Sequence, residues 1–299
     1  MRPRDNGRRC APARRIKKMT GLANRGVTPL DDVPEISEPE DRQFVTALAR
    51  GLSVLRAFQP GDGVLGNGEL AERTGLPKPT VSRLTHTLTR LGYLAHAERL
   101  GKYRLGPGVL SLGYSLLANM DIRKIARPYM QELANASGLS LALGARDRLN
   151  MVYLEHARDA GSVTLRLDIG SHVPIATSAM GRAFLAAIPE DERAYLMTAM
   201  EERAGPAWPA MARGIDRAIK QVREQGFCTS FGEWQHDVNA VGVPLRSMDG
   251  ATIMAVNCGG PAFMHKPDRL EGEWGPRLVN MVQTIQSEMQ SGFAAQGRW

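Results

Sequence analysis

A chain of 299 residues with 43% hydrophobic content can bury a sizeable core, and its length suits two domains better than one. No run approaches the roughly eighteen apolar residues of a membrane span, and the basic N-terminus lacks the apolar stretch of a signal peptide, so a cytoplasmic protein is expected. The net charge of +7 is unevenly spread: residues 1 to 30 carry nine bases and one acid, 31 to 40 five acids, 41 to 105 ten bases and five acids, and 106 to 299 nineteen bases and twenty acids.

A basic first third joined to a nearly neutral remainder suits a protein that touches nucleic acid with one part and does something else with the other. Arg2, Arg4, Arg8, Arg9, Arg14, Arg15, Lys17 and Lys18 stand among few apolar residues, so residues 1 to 40 are expected to form a disordered tail. Two readings of that tail stand open: nonspecific attraction to phosphate, or an upstream extension before a start at Met19. Cys10, Cys228 and Cys258 are too few and too far apart for a disulfide framework or a CxxC metal site, which agrees with a reducing compartment.

Phe44, Leu48, Leu52, Leu55 and Phe58 follow a helical period, closed by Pro60-Gly61-Asp62-Gly63, and predict the first helix of a three-helix core. Leu70, Ala71 and Leu76 frame a second helix that stops at Thr74-Gly75-Leu76, where glycine gives a tight turn its backbone freedom. Pro77 and Pro79 suit the first turn of a third helix, whose Val81, Leu84, Leu88 and Leu91 share one buried face and whose end is marked by Gly92. Tyr93 to His96 and Lys102 to Leu105 read as strands around Glu98-Arg99-Leu100-Gly101, a hairpin with positive charge at its tip. Residues 41 to 106 thus form a winged helix-turn-helix of three helices and a β-wing.

Gly106-Pro107-Gly108 breaks the chain after the wing, and residues 107 to 120 are expected to be a linker helix. From 121 to 290 helices alternate with strand-length apolar runs, the pattern of an α/β or α+β domain, with 291 to 299 as a tail. Ile122, Ile125, Tyr129 and Leu133 mark a helix stopping at Gly138; Leu139 to Ala145 and Asn150 to Glu155 suggest a hairpin; Ser162 to Leu167 reads as a strand. Helices are expected over Ala179 to Ile188, Pro189 to Met200 and around Ile215, Ile219 and Val222, strands over Val241 to Leu245 and Thr252 to Asn257, and a last helix from Trp274 to Met289.

The outer face of the third helix mixes Lys78, Thr80, Ser82, Arg83, His86, Thr87 and Arg90. Arginine can pair bidentately with guanine, and small hydroxyls let the backbone approach phosphate or base edges. Base contacts are therefore expected from this helix, with Arg83 foremost, and phosphate or minor-groove contacts from Arg99, Lys102 and Tyr103 of the wing. The alternative is an ordinary solvated helix face, which the order helix, turn, helix and basic wing argues against. The expected partner is double-stranded operator DNA.

With these residues the chain resembles the IclR family of bacterial transcription regulators. The resemblance runs from about Phe44 to Met289. Four places carry it: Arg50 to Leu55; Glu69-Leu70-Ala71 through Tyr93; Tyr103-Arg104-Leu105-Gly106; and Ala176 to Ala186, similar to the family signature but with Arg182 where lysine is usual. Gly226-Phe227 to Glu233 and Ala240 to Leu245 are similar to a later hallmark. The resemblance implies an α+β protein with a C-terminal GAF-like effector domain, dimers through the DNA-binding domains and tetramers through the effector domains. It also implies control of catabolic genes by a small organic acid, often an aromatic breakdown product, with repression the default reading.

Thr177-Ser178-Ala179-Met180-Gly181 runs into a helix, and exposed N–H groups at a helix start are a natural carboxylate site. By position in the family pattern Ser178, Ala179 and Met180 would border the ligand, Asn257 and Cys258 would face it, and Glu233, Trp234, His236 and Asp237 fall where the family places an acidic pocket residue. Open beside these are a plain helix cap at Ser178, core packing at Met180 and domain closure at Trp234. No cofactor is expected; a metal site from His236, Asp237 and Cys258 is conceivable but is set aside. No GxSxG elbow, P-loop or dinucleotide fingerprint occurs, so an enzyme is not expected. The rivals are an enzyme with a DNA-binding appendage and a C-terminal domain that only oligomerises.

Overall fold

The computed structural model describes residues 43–159, 167–247 and 252–296. The N-terminal part holds α1 (Thr46–Arg56), α2 (Asn67–Thr74), α3 (Lys78–Arg90) and a hairpin of β1 (Leu94–Ala97) and β2 (Lys102–Leu105). Val54, Leu65, Leu70, Val81, Leu88 and Leu94 form its core. Glu69 reaches back to the Gly66 N–H at 2.7 Å and closes the start of α2, and Gly75 ends it in the left-handed region at φ 67°. A one-turn 3-10 segment, Glu98–Leu100, joins the two wing strands, with Leu94 opposite Leu105 and Ala97 opposite Lys102.

Much of one apolar face expected inside, that of α1, is outside, and the α3 face is inside except at its end. On α1 the packed residues are Gly51, Ser53 and Val54, whereas Phe44, Leu48 and Leu52 are exposed and Leu55 and Phe58 half-buried. On α3 Thr85 takes an inner position, donating to Asn67 Oδ1 at 3.1 Å, and Leu91 is exposed. Helix α4 (Pro107–Ala118) has no buried residue at all: Leu110, Leu112, Tyr114 and Leu116 are 59 to 74% exposed.

The C-terminal part is built on a six-stranded antiparallel sheet in the order β5-β4-β3-β8-β7-β6. Its strands are β3 (Ser140–Asp147), β4 (Asn150–Ala157), β5 (His172–Pro174), β6 (Cys228–Phe231), β7 (Val238–Arg246) and β8 (Ile253–Pro261). One face packs on α5 (Asp121–Ser137) and α10 (Gly275–Gln296), which follows the single turn α9 (Pro267–Arg269) and a π-helical stretch, Leu270–Trp274. The other packs on α6 (Ala179–Ala187), α7 (Glu190–Ala204) and α8 (Trp208–Gln225). Helices on both faces of an antiparallel sheet make this an α+β fold.

On α5 the innermost residues are Ile122, Ala126, Met130 and Ala134, one position on from the expected Ile125, Tyr129 and Leu133. Strands β5 and β6 went unforeseen because three or four residues are too few to show a period. The strand expected from Ser162 lies outside the described residues, as does the N-terminal tail; Leu167, its last member, is buried but in no strand.

Glycines bring α6 against the sheet. A Cβ at Gly181 would collide with the backbone of Ile175, and one at Gly242 with the carbonyl of Ala179. These two residues sit in the two hallmark segments, so their chemistry is close approach of a helix start to a strand.

Candidate functional site

Helix α3 rests on the core through Val81, Thr85 and Leu88, which turns the opposite side of the helix outward. Lys78, Ser82, Arg83, His86, Thr87 and Arg90 are exposed, Thr80 is half-buried, and the side-chain hydroxyl of Thr87 donates back to the Arg83 carbonyl at 3.0 Å. Among the described residues none of Lys78, Arg83 and Arg90 has a carboxylate partner within ion-pair distance, while Arg73 and Lys102 nearby do. The ridge therefore carries cations that the fold does not use.

The wing residues divide. Arg99 stands exposed at the tip. Lys102 pairs with Glu69 at 2.9 Å, and its stem lies beside Gly66, so it ties the wing to α2 rather than reaching out freely. Tyr103 is also structural: its backbone exchanges two hydrogen bonds with Leu65 and its ring packs 4.9 Å from His96. Arg104, not singled out from the sequence, is the exposed cation of β2, and alternation along that strand is the signal that could have found it.

In the C-terminal part a hollow opens between the inner face of the sheet and the start of α6. It is walled by Ser140, Leu141 and Ala142 of β3, Tyr153 and His156 of β4, Val173 of β5, Ser230 of β6, Val238 and Ala240 of β7, and Asn257 and Gly259 of β8. Leu167, Ser178, Ala179 and Trp234 complete the wall. Its empty space is about 510 Å³ with open solvent included, while the room enclosed is about 20 Å³, that of about one water molecule. Ser178 caps α6, its hydroxyl accepting from Gly181 N at 3.1 Å and donating to Pro174 O at 2.6 Å. The first-turn N–H groups of Ala179 and Met180 have no acceptor within the helix.

The polar walls are neutral. Burial pushes the Tyr153 hydroxyl up to about 12, against a smaller opposing effect of the Asn257 amide, so it keeps its proton. Burial likewise lowers the His156 pKa, and the Asp168 carboxylate 4.0 Å away does not offset this. Asn257 Oδ1 is buried without a hydrogen-bond partner among the described residues.

Of the residues marked from sequence for a ligand, Ser178, Ala179, Trp234 and Asn257 are on the wall. The other four are elsewhere. Met180 is fully buried with its sulfur against Gly144. Cys258 follows Asn257 on an extended strand and so faces the opposite core, where burial raises its thiol to about 12. Glu233 binds Arg182 at 2.8 Å and Arg217 at 2.7 Å; burial pulls its pKa up, but the two guanidiniums outweigh that and hold it low. Asp237 is exposed beside the strand start. Sequence reasoning missed Tyr153, His156 and Ser230, which the fold gathers from separate strands with no local motif. No group of three metal-ligating side chains occurs among the described residues, and none of their helices is long and apolar enough to cross a membrane.

Arg182, standing where the family pattern has lysine, is 1% exposed. Its Nε donates to Ala176 O at 3.0 Å and its Nη2 to Glu233, and the guanidinium occupies the space a side chain at Gly214 would need. It thereby fixes the loop that presents Trp234.

One ionic cluster joins the two parts. Arg56, at the end of α1, donates to both oxygens of Asp147 at 2.8 and 2.9 Å, and His172 Nε2 lies 3.1 Å from the same carboxylate. The His172 hydrogen bond and the Arg56 charge hold Asp147 well below the usual carboxylate range despite burial. His172 is adjacent to Val173, a wall residue of the hollow.

A family model described as "Bacterial transcriptional regulator IclR C-terminal" matches residues 114–287, and one described as "IclR helix-turn-helix domain" matches residues 47–98. The HTH-type transcriptional regulator TsaQ1/TsaQ2 of Comamonas testosteroni is 35% identical over 260 residues, 86% of this chain and 93% of its own. The crystal structure of an IclR family transcriptional regulator from Brucella abortus is 50% identical, covers 86% of this chain and 97% of its own, and superposes with a TM-score of 0.79. An IclR homolog from Microbacterium hydrocarbonoxydans, crystallised with 4-hydroxybenzoate, is 21% identical with a TM-score of 0.66 over 82% of this chain and 99% of its own, a likeness of fold alone.

Proposed function

The chain belongs to the IclR family of bacterial transcriptional regulators, and from that premise we propose that it is a repressor of a catabolic operon released by a small organic acid. It is a DNA-binding regulator and not an enzyme. The observation that carries the reading is the ridge of α3, where Lys78, Arg83 and Arg90 stand exposed beside Ser82, His86 and Thr87 with no carboxylate partner among the described residues. Arg83 reads base edges; Lys78, Arg90, Arg99 and Arg104 meet phosphate. Work on DNA places the protein in the cytoplasm.

A second copy of the chain covers the apolar surface of Phe44, Val45, Leu48 and Leu52 and that of α4, since uncovered patches of this kind mark interfaces. Such a dimer sets two recognition helices about 34–36 Å apart on one side of the duplex. Tetramers form through the effector domains. The effector acid sits in the hollow, its carboxylate at the N–H groups opening α6, where the helix dipole favours an anion. Its occupancy reaches the DNA-binding part through α4 and through the Arg56–Asp147–His172 cluster, whose last member adjoins the pocket wall.

Fluorescence anisotropy with the intergenic DNA beside the gene tests this. Salt-dependent binding to that DNA over random duplex, weakened by an acid from a panel of small carboxylates, is the expected result. Equal affinity for both duplexes removes the regulator assignment of the ridge; a DNA response to none of the acids leaves a C-terminal domain that serves assembly alone.

A further inference from the structure

Resting on the reading of the hollow as the effector site, we propose that Glu155 and Arg123 are positioning residues that pin the linker helix to the wall of the hollow, so that binding in one half is felt in the other. A β-bulge sets this up. Leu143 of β3 stands opposite Glu155 and Gly144 opposite Tyr153, which leaves Leu154 as an extra residue in β4. Two consecutive residues, Leu154 and Glu155, therefore turn towards α5, while Tyr153 and His156 on either side of them line the hollow. The buried Glu155 carboxylate accepts from the backbone N–H of His156 at 3.2 Å, and its other oxygen meets Arg123 Nη2 at 2.8 Å. Arg123 Nη1 donates in turn to the carbonyl of Leu117, in the last turn of α4, at 3.1 Å.

The far end of α4 is held as closely. The Gly108 N–H donates to the Gly92 carbonyl at 3.2 Å and the Gly106 N–H to that of Tyr93 at 2.8 Å, and a Cβ at Gly106 would strike the Gly92 oxygen. Gly92 lies in the turn that directly follows α3. Between its ends α4 buries no residue, so these end contacts set its direction. Hydrogen bonds thus run from the wall of the hollow through the sheet to α4, and α4 carries the connection to the recognition helix. Stability alone does not account for the pair. Apolar residues of similar size often serve a buried site as well as two opposed charges do, because desolvation offsets their attraction. The buried Arg123 Nε, with no acceptor among the described residues, adds to the cost. What apolar residues could not supply is the bond to the Leu117 carbonyl.

Amide hydrogen exchange on the full chain, free and bound to the intergenic duplex, tests the proposal, because coupling between two sites is reciprocal. In the wild type, DNA changes the exchange rate of β4 and β5 about fivefold or more. The double variant Arg123→Met with Glu155→Leu removes both charges together; it melts near the wild type and still binds DNA, yet loses that response. Arg123→Lys keeps the charge but not the fork that spans carboxylate and carbonyl at once, and it shrinks the response as well. A full response in both variants overturns the positioning role, as does a double variant that fails to fold while Arg123→Lys responds in full. No response in the wild type overturns the link and leaves the regulator reading standing. Failure of the wild type to bind the duplex removes that reading, and this proposal with it.

Discussion

The two parts of the molecule spend their positive charge in opposite ways. On the recognition helix Lys78, Arg83 and Arg90 face water, whereas in the C-terminal domain Arg123, Arg182, Arg217 and Arg269 are each engaged by a carboxylate within 3 Å. A cation left in solvent adds little to the stability of the fold and remains available for phosphate, releasing counterions when it binds. A cation drawn inside, as Arg182 and Arg123 are, is a structural bolt, whereas the more exposed Arg217 and Arg269 add little. Substitutions of arginine should therefore act on binding in one half and on folding in the other.

The sharpest test is Arg182→Met. It leaves Glu233 with Arg217 alone and strips the Ala176 carbonyl of its donor, so the C-terminal domain should lose about 1–3 kcal/mol in urea unfolding. Loss of operator binding without loss of stability would break the contrast. Arg83→Ala is its mirror: stability within about 0.5 kcal/mol of the wild type, with about 1–3 kcal/mol of operator-over-random discrimination gone. Equal weakening on both duplexes would make Arg83 a phosphate contact instead.

Arg56→Ala should have a smaller effect, because it touches the link between the parts. The effector-driven change in DNA affinity is expected to shrink about fivefold, near 1 kcal/mol of coupling, while ligand affinity measured without DNA changes little. An unaltered response would assign all communication to α4. The smallest effect is on acid stability. His156 and His265 titrate below the ordinary histidine value because burial disfavours their charged forms. The unfolded chain then binds protons first as pH falls from about 6.5, so the stability they contribute is complete above that value and is lost as pH drops through their folded pKa values. Glutamine at both positions should flatten the acid limb of a pH-dependent Tm curve.

Most of the DNA-reading element was legible in the chain, since α3 runs from Lys78 to Arg90 as proline, apolar spacing and Gly92 required. The errors share a cause: periodicity marks a face that will be covered, not what covers it. Phe44, Leu48 and Leu52 repeat like core residues yet lie bare within one chain. Contacts between distant segments left no trace, whether Lys102 with Glu69, Arg56 with Asp147 or Arg182 with Glu233. In the pocket, the helix start at Ser178 and Ala179 could be read from a local motif. Tyr153 and Ser230 could not, because strand pairing alone brings them together. The family pattern pairs Asn257 with Cys258, although neighbours on a strand point to opposite faces.

The bare linker helix also bears on how much of this protein a cell can keep. If chains assemble at its leucine-rich surface, as proposed, they would gain stability with concentration, and dilute ones would stay loosely held and open to proteolysis. Abundance would then tend toward a floor set by self-association, with solitary copies cleared before they could occupy half an operator.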